Sequence, residues 1–475
     1  MTSEVSLPQK QSSHTIEQIS IYDVRTNCQC RLILLALSIA VFLLPFSDFV
    51  YLPALTQIER DMNTSDAVVE DSVSVYLFMG GISSLFWGSI SDRYGRKLTL
   101  IVSLSLFATT SIVCIRAANV ILLVFSRAIQ GATISAPLVI GQAIIADIYP
   151  EKKRGSAAGW FFLPFNIGPI GGPLLGGPLS SAFTWHSTFV LLAIFSICAI
   201  ILILVLVPET HQYYIKEQFH KTNPDKRIID VEFSNPTQFK NPLKAVAYLY
   251  DLTILPYIAV AAATSATLAS TETLFPVYLG KNPYNFSQTT IGLLYVPSGI
   301  VLFISSLLGG WLSDLASVYY SHKRCLEGRV VPNLILSTLT PIGLLIFGWS
   351  VQCNAHISVV IVGLCIASCG QALFEPCASA YLTAKKQSDA GTVSAANVCL
   401  DLCASGVLVS IGVPLTGVIG SGAYFSLLAA LTLMSIVPVG VIVYNSIKRA
   451  SYSIGEYDAI VSELDPANEN TKLRK

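Results

Sequence analysis

The sequence predicts an all-α polytopic membrane protein, with twelve transmembrane helices in two pseudo-symmetric six-helix bundles. Three observations lead there. The 475 residues are 53% hydrophobic and only 12% charged, about half the charge of an ordinary soluble chain. The apolar residues fall in blocks of twenty or so, the length that crosses about 30 Å of hydrocarbon. Gly88-Ser-Ile-Ser-Asp92 at the end of the second block is echoed by Gly310-Trp-Leu-Ser-Asp314 at the end of the eighth, as expected of two parallel repeats related by an axis along the membrane normal. A soluble enzyme of this composition would have too little polar surface to cover its core. No nucleophile–base constellation, metal cluster or phosphate loop points to catalysis, so the expectation is not an enzyme, with no metal and no cofactor. A net charge of zero gives no reason to expect nucleic acid as a partner.

In chain order the spans are expected at 32–54, 68–90, 98–117, 120–148, 155–180, 187–207, 252–279, 288–315, 331–351, 356–382, 390–417 and 422–445. The domains follow: an N-terminal tail (1–30), a first bundle (31–208), a polar central loop (209–244), a second bundle (245–447) and a C-terminal tail (448–475). Connectors after even-numbered spans carry 17 Lys and Arg residues and those after odd-numbered spans carry 3. The positive-inside rule then puts both termini in the cytosol. Asn63 and Asn285 head Asn-x-Ser/Thr sequons in the opposite connectors, which makes them glycosylation candidates. The i,i+4 pairs Cys365/Cys369 and Cys399/Cys403 read as small buried hydrophobes. Cys28 and Cys30, beside the first span, are palmitoylation candidates. Residues 1–30 lack the basic start and short apolar run of a cleaved signal peptide.

Several segments carry more than hydropathy. Gly88 to Leu100 includes Gly88, Asp92, Arg93, Gly95, Arg96 and Lys97; Gly88 permits close helix approach and Gly95 a tight turn. Arg127, Gln130 and Gly131 follow at helical spacing within the fourth span. From Gly159 to Gly177 the fifth span is packed with glycine and proline. Gly168, Gly172 and Gly176 fall at i, i+4 and i+8, a side-chain-free stripe that lets another helix approach at backbone distance. Pro164, Pro169, Pro173 and Pro178 each remove an internal hydrogen bond and invite bending. The stripe is expected to pack on the eighth helix at Ser305, Ser306, Gly309 and Gly310.

The Gly88–Leu100 run resembles the signature loop of the major facilitator superfamily, G-x-L-a-D-r-x-G-r-k-x-x-l, with Ile for Leu and Ser for Ala. Leu123 to Gly131 resembles that superfamily's fourth-helix motif. Asp147-Ile-Tyr-Pro150, followed by Arg154-Gly155, resembles its fourth-to-fifth connector. Gly159, Gly168, Gly172, Pro173, Gly176 and Gly177 match every fixed position of its fifth-helix antiporter motif. Pro208-Glu209-Thr210 resembles the fungal multidrug branch. Over essentially the whole chain the resemblance is to the twelve-span drug:proton antiporter family, in its quinidine, polyamine and dityrosine exporter branch. It implies the major facilitator fold. It also implies a cytosolic latch of the loop charges with Asp147, and export of small organic solutes driven by the proton gradient. The second half departs from the pattern: no Arg-x-Gly-Arg follows Asp314, only His322, Lys323 and Arg324 further on, which leaves a symmetric second latch unsupported.

A charge at mid-membrane costs about 2.5–3.5 kcal/mol or more, so each intramembrane charge asks for a reason. Asp48, Arg127, Glu272, Glu375 and Asp401 are the candidates for proton coupling. Asp48 sits in an almost wholly apolar run, Asp401 has Asn397 one turn earlier, and Glu272 lies near the outer end, where it can face water. Arg127 can bias a partner carboxylate when close and release it when helices rearrange. Candidate substrate-lining residues near the midplane are Phe46, Tyr51, Gln130, Gln142, Phe165, Asn166, Tyr278 and Asn397. The reading is a proton-coupled antiporter that exports drugs, weak acids, polyamines, amino acids or dityrosine-like compounds by alternating access. It would act as a monomer in the lipid bilayer, at the plasma membrane or else a vacuolar or prospore membrane. The competitors are a nutrient symporter or uniporter and a non-transporting membrane sensor.

Overall fold

The computed structural model describes residues 17–19, 22, 25–211, 214–215, 226–228, 244–321, 326–386 and 390–464. The first bundle comprises α1 (Asn27–Phe49), α2 (Leu55–Asp61), α3 (Asp66–Tyr94), α4 (Arg96–Ile115), α5 (Val120–Ile134), α6 (Ala136–Ile148), α7 (Glu151–Phe165), α8 (Gly168–Ala182) and α9 (His186–Leu206). A short α10 (Lys244–Ala247) precedes the second bundle. That bundle contains α11 (Leu255–Leu279), α12 (Gln288–Leu294), α13 (Val296–Ser321), α14 (Val331–Leu336), α15 (Leu339–Gln352), α16 (Ile357–Lys385), α17 (Ala390–Ile419) and α18 (Ser421–Leu464). Helix starts are set locally. Thr26 and Gln29 close a capping box on α1, Asn119 accepts from the Leu122 amide at 2.8 Å, and Ser287 accepts from the Thr290 amide at 3.3 Å; each satisfies an otherwise orphan donor.

Among the described residues, eleven helical stretches are long and apolar enough to cross a membrane. The fifth expected span is divided into α7 and α8, of fifteen residues each. Spans one, four, eight and nine are also split, at Val50–Tyr51, Ser135, Tyr295 and Ser337–Thr338. A proline follows each break within three residues: Pro53, Pro137, Pro169, Pro297 and Pro341. Each proline removes the amide that would have tied the new turn to the old one. The splits are therefore written in the sequence, although hydropathy blurs them into single spans.

Two features were not anticipated. Residues expected to be plain tail and loop form a parallel pair of three-residue strands, β1 (Glu17–Ile19) and β2 (Lys226–Ile228), with Gln18 opposite Arg227. The last helix runs on to Leu464, into the expected polar tail. His322, Lys323 and Arg324 lie outside the described residues. So do most of the central loop and residues 465–475.

The halves meet along α3 with α17 and along α8 with α12 and α13. Toward the end carrying Asn63 and Asn285, Lys281 pairs with Asp66 and lies 3.9 Å from Glu59 Oε1. Ser410 Oγ donates to Asp71 Oδ1 at 2.6 Å, and Ser74 Oγ to the Gly406 carbonyl at 2.5 Å. Near mid-span, a Cβ on Gly81 would stand 2.8 Å from Cys403 Sγ. Toward the signature-loop end, the ion pairs of the described residues join partners of one half: Arg96 with Asp92 and Asp147, Arg329 with Asp314, Lys385 with Glu327, Lys386 with Asp251. The conformation is closed at the sequon end.

Candidate functional site

Gly131 decides where Arg127 goes. A Cβ there would fall 1.9 Å from the Tyr76 carbonyl oxygen, so only glycine lets α5 lie this close to α3. One turn earlier on α5, Arg127 is fully buried, its guanidinium 4.0 Å from the Tyr76 ring centroid and 4.8 Å from that of Tyr51. Both faces supply cation–π attraction. Arg127 Nη1 donates to Gln130 Oε1 at 3.3 Å, and Gln130 Nε2 donates to Ser111 Oγ at 2.9 Å. Asp48 Oδ1 stands 4.0 Å from Arg127 Nη2, an ion pair too long to be a hydrogen bond. Arg127 Nε and Nη2 and Asp48 Oδ1 have no hydrogen-bond partner. The pair has slack.

Glu272 does not face water as expected. It is buried, with Oε1 unpartnered, and lies within electrostatic reach of Asp48. The hydroxyl of Tyr295, on the break in span eight, donates to its backbone carbonyl. Asp48 and Arg127 from one half and Glu272 from the other thus form one cluster. A second gathers in the C-terminal half. Glu375 on α16 faces Asn397 and Asp401 on α17, while Gln371 Nε2 donates to Ser265 Oγ at 3.0 Å. Glu375 Oε2, Asn397 Oδ1 and Asp401 Oδ1 are buried without partners.

The remaining lining candidates divide. Phe46 is buried in the first bundle, its ring 4.8 Å from that of Phe42 and 5.3 Å from that of Phe195. Tyr51, with its hydroxyl 3.0 Å from Ser72 Oγ, and Gln130 support Arg127. Gln142, Phe165, Asn166 and Tyr278 remain partly exposed, Asn166 on the break between α7 and α8.

The signature loop is a compact ionic knot. Arg96 is buried, with Nη1 2.6 Å from Asp92 Oδ1 and Nε 3.1 Å from Asp147 Oδ2. Gly95 takes φ +95°, a conformation side chains resist. Its would-be Cβ position lies 2.6 Å from Glu209 Oε2. Glu209, from the chain leaving span six, accepts from the Arg96 and Lys97 amides at 3.0 and 3.2 Å, so a carboxylate caps the positive start of α4. Arg93 lies over Tyr94 instead, at 5.5 Å. The C-terminal half has a counterpart built from other residues. Arg329 reaches Asp314 Oδ1 at 2.5 Å and Ser313 Oγ at 2.8 Å, and Lys385 reaches Glu327 Oε1 at 2.6 Å. The Arg-x-Gly-Arg run missing after Asp314 is thus stood in for by Arg329, fifteen positions on.

The glycine stripe packs on a different helix from the one expected. Cβ atoms at Gly168, Gly172 and Gly176 would stand 2.7 Å from Pro45 Cγ, 2.6 Å from Phe49 Cβ and 2.1 Å from the Val50 carbonyl oxygen. The partner is the first span. The eighth span is met off the stripe: a Cβ on Gly177 would stand 2.5 Å from the Gln288 carbonyl oxygen, and Pro173 and Ile170 lie against Gly292 and Gly299. Gly309 packs on Leu373, and Gly310 and Gly159 face open space. Ser305 donates to Cys369 Sγ at 3.3 Å. Asn63 and Asn285 are both exposed, at φ +48°. Of the N-terminal thiols Cys28 is exposed and Cys30 buried.

Glu70, Glu209 and Arg329 were missed as site residues. Glu70 sits among Asp66 and Asp71 at the polar start of its span, and Arg329 is separated from Asp314 by a connector. Glu209 had a usable signal: α4 follows a one-residue turn, and its orphan amides require an acceptor.

Two bundles split at prolines, a buried arginine against an intramembrane carboxylate and paired ionic knots define a membrane transporter scaffold. The model of the Major Facilitator Superfamily matches residues 37–406, and the chain belongs to that family. It is 24% identical to the MFS antiporter QDR3 of Candida albicans, over 88% of this chain and 77% of that protein. It is 28% identical to Dityrosine transporter 1 of Saccharomyces cerevisiae, over 74% and 69%. The crystal structure of a D-xylose-proton symporter superposes with a TM-score of 0.65 at 13% identity, covering 86% of this chain and 97% of that one, and so shares its fold.

Proposed function

We propose that this protein is a proton-coupled antiporter that exports small organic solutes by alternating access. It works without a cofactor, as a monomer in the plasma membrane with both termini cytosolic. Asn63 and Asn285 then lie outside, and the conformation described is inward-facing. The names of the fungal relatives, an antiporter and a dityrosine transporter, support exchange transport and a substrate class related to dityrosine. One observation carries the coupling: Arg127 is buried against two tyrosine rings, 4.0 Å from Asp48, with two donor nitrogens unfilled. At this distance and an effective dielectric of about 20, pairing is worth about 4 kcal/mol. Protonating Asp48 removes that attraction while the tyrosines retain the guanidinium. A swing of this size approaches the roughly 5.5 kcal/mol that inverts a two-state equilibrium from 1:99 to 99:1. Glu272, on the opposite half, would sense the same switch, and Glu375 and Asp401 would serve substrate or a second proton.

The test is solute movement in sealed inverted vesicles with an imposed pH gradient, acid inside. Accumulation of a substrate found by a growth screen of a deletion strain should follow the gradient and vanish in Asp48→Asn. Movement with the protons, rather than against them, would instead establish a symporter. A phenotype untouched by Asp48→Asn and Arg127→Gln would establish a sensor.

A further inference from the structure

We propose that Glu70 is a proton-binding gate residue: it carries a proton while α3 and α17 are in contact at the sequon end, and gives it up to solution when they part. The inference rests on the alternating-access reading above. Glu70 is 1% exposed, and neither carboxyl oxygen has a hydrogen-bond partner. It shares one stripe of α3 with Ser74 and Gly81, four and eleven residues on. Those two touch α17 at Gly406 and at Cys403, so Glu70 sits on the surface along which the halves separate.

Its charged neighbours are already engaged. On its own helix, Asp66 pairs with Lys281 and Asp71 accepts from Ser410. The Tyr424 hydroxyl from α18, within electrostatic reach of Glu70, bonds to Ser270 and to the Leu408 carbonyl. Tyr278 from α11, the other titratable side chain in reach, offers no charge, and its hydroxyl makes no hydrogen bond to Glu70. Lys281 is the nearby cation and is claimed by Asp66 and Glu59. An ionised Glu70 would thus be a buried charge with no side-chain donor and no counter-ion of its own, beside two other acids; the backbone of Val413 on α17 is within electrostatic reach but outside hydrogen-bond geometry. That costs far more than burying the neutral acid. Once α3 and α17 separate, water replaces the missing partners and the proton can leave. The closed form then holds one more proton than the open form. Low pH favours closure, and each pH unit within the titration window shifts the closed-to-open ratio about tenfold.

The full-length protein in lipid nanodiscs supplies the test, by hydrogen exchange of segments 66–81 and 402–415 from pH 6 to pH 8, corrected for intrinsic exchange. Wild type should lose protection toward high pH, by up to about tenfold per unit. Glu70→Gln should stay protected with a flat profile, and Glu70→Asp should keep the slope. A Glu70→Gln variant with the wild-type slope overturns the proposal, as does a wild type without a slope, which needs no variant to fold. Neither outcome touches the vesicle result, so failure of this proposal and failure of the antiport reading are separately visible.

Discussion

Gly176→Ala is the sharpest perturbation the packing offers. The added methyl would stand 2.1 Å from the Val50 carbonyl oxygen and 2.9 Å from its carbon. An ordinary contact needs more than a further ångström. Both sides of the clash are backbone, so no rotamer relieves it; α8 and the end of the first span must move apart. Overpacking of this kind costs about 1–3 kcal/mol, a factor of roughly 5 to 150 in the folded-to-unfolded ratio at about 1.4 kcal/mol per tenfold. Gly159→Ala belongs to the same motif but meets nothing within 4 Å; it should be silent. Thermal melts of the two variants in one detergent compare them directly. Gly176→Ala should melt well below wild type and leak protons in vesicles, with Gly159→Ala superposing on wild type. Equal melts for all three would refute the assignment of the stripe to a backbone contact with the first span.

Three further outcomes follow. Arg329→Ala should impair transport as Arg96→Ala does, since each removes the central cation of an ionic knot; an Arg329→Ala variant with full activity in vesicles would remove the second knot from the mechanism. Gly95→Ala should destabilise by about 1 kcal/mol or more, from φ +95° and from contact with Glu209. Combined with Glu209→Ala it should cost less than the sum of the two, which a double-mutant cycle of melting temperatures reads. The Asp251 carboxyl is held down to about 2 by hydrogen bonds from Lys386 and Thr253. Its folded value lies below the unfolded one, so its contribution is complete above about pH 4 and fades as pH falls toward 2. Asp251→Asn should lower the melting point at pH 6 and converge with wild type near pH 2; a deficit constant across pH would show the charge to be irrelevant.

Hydropathy made the twelve spans legible because a bilayer imposes a length and forbids unsatisfied backbone. The starts and ends agree within a few residues at most positions, from 186–206 against 187–207 to 357–385 against 356–382. The breaks were legible too, in the prolines two or three residues beyond them. What could not be read was partnership. A stripe of glycine says that something comes close, and nothing in it distinguishes Val50 from Gly309. Arg127 announced itself as a charge in an apolar run, whereas Glu70 hides among acids that look interfacial. Glu272 shows the reverse error: position near an end suggested water, yet the opposite half covers it. These three misses involve contacts between segments far apart in sequence, where local pattern carries no information.

The approach of Gly81 to Cys403 supplies the molecule with a native reporter. With the halves together, the sulfur fills the space a single methyl at Gly81 would claim, and its thiol is directed to the Phe78 carbonyl at 3.8 Å. The thiol is only partly buried, but on the side facing Gly81 a maleimide or methanethiosulfonate adduct would have no room. Modification of Cys403 should therefore speed up during excursions that separate α3 from α17, and an adduct on the Gly81 side would wedge them open. The rate of that modification, measured with and without substrate, times the gate without any engineered label.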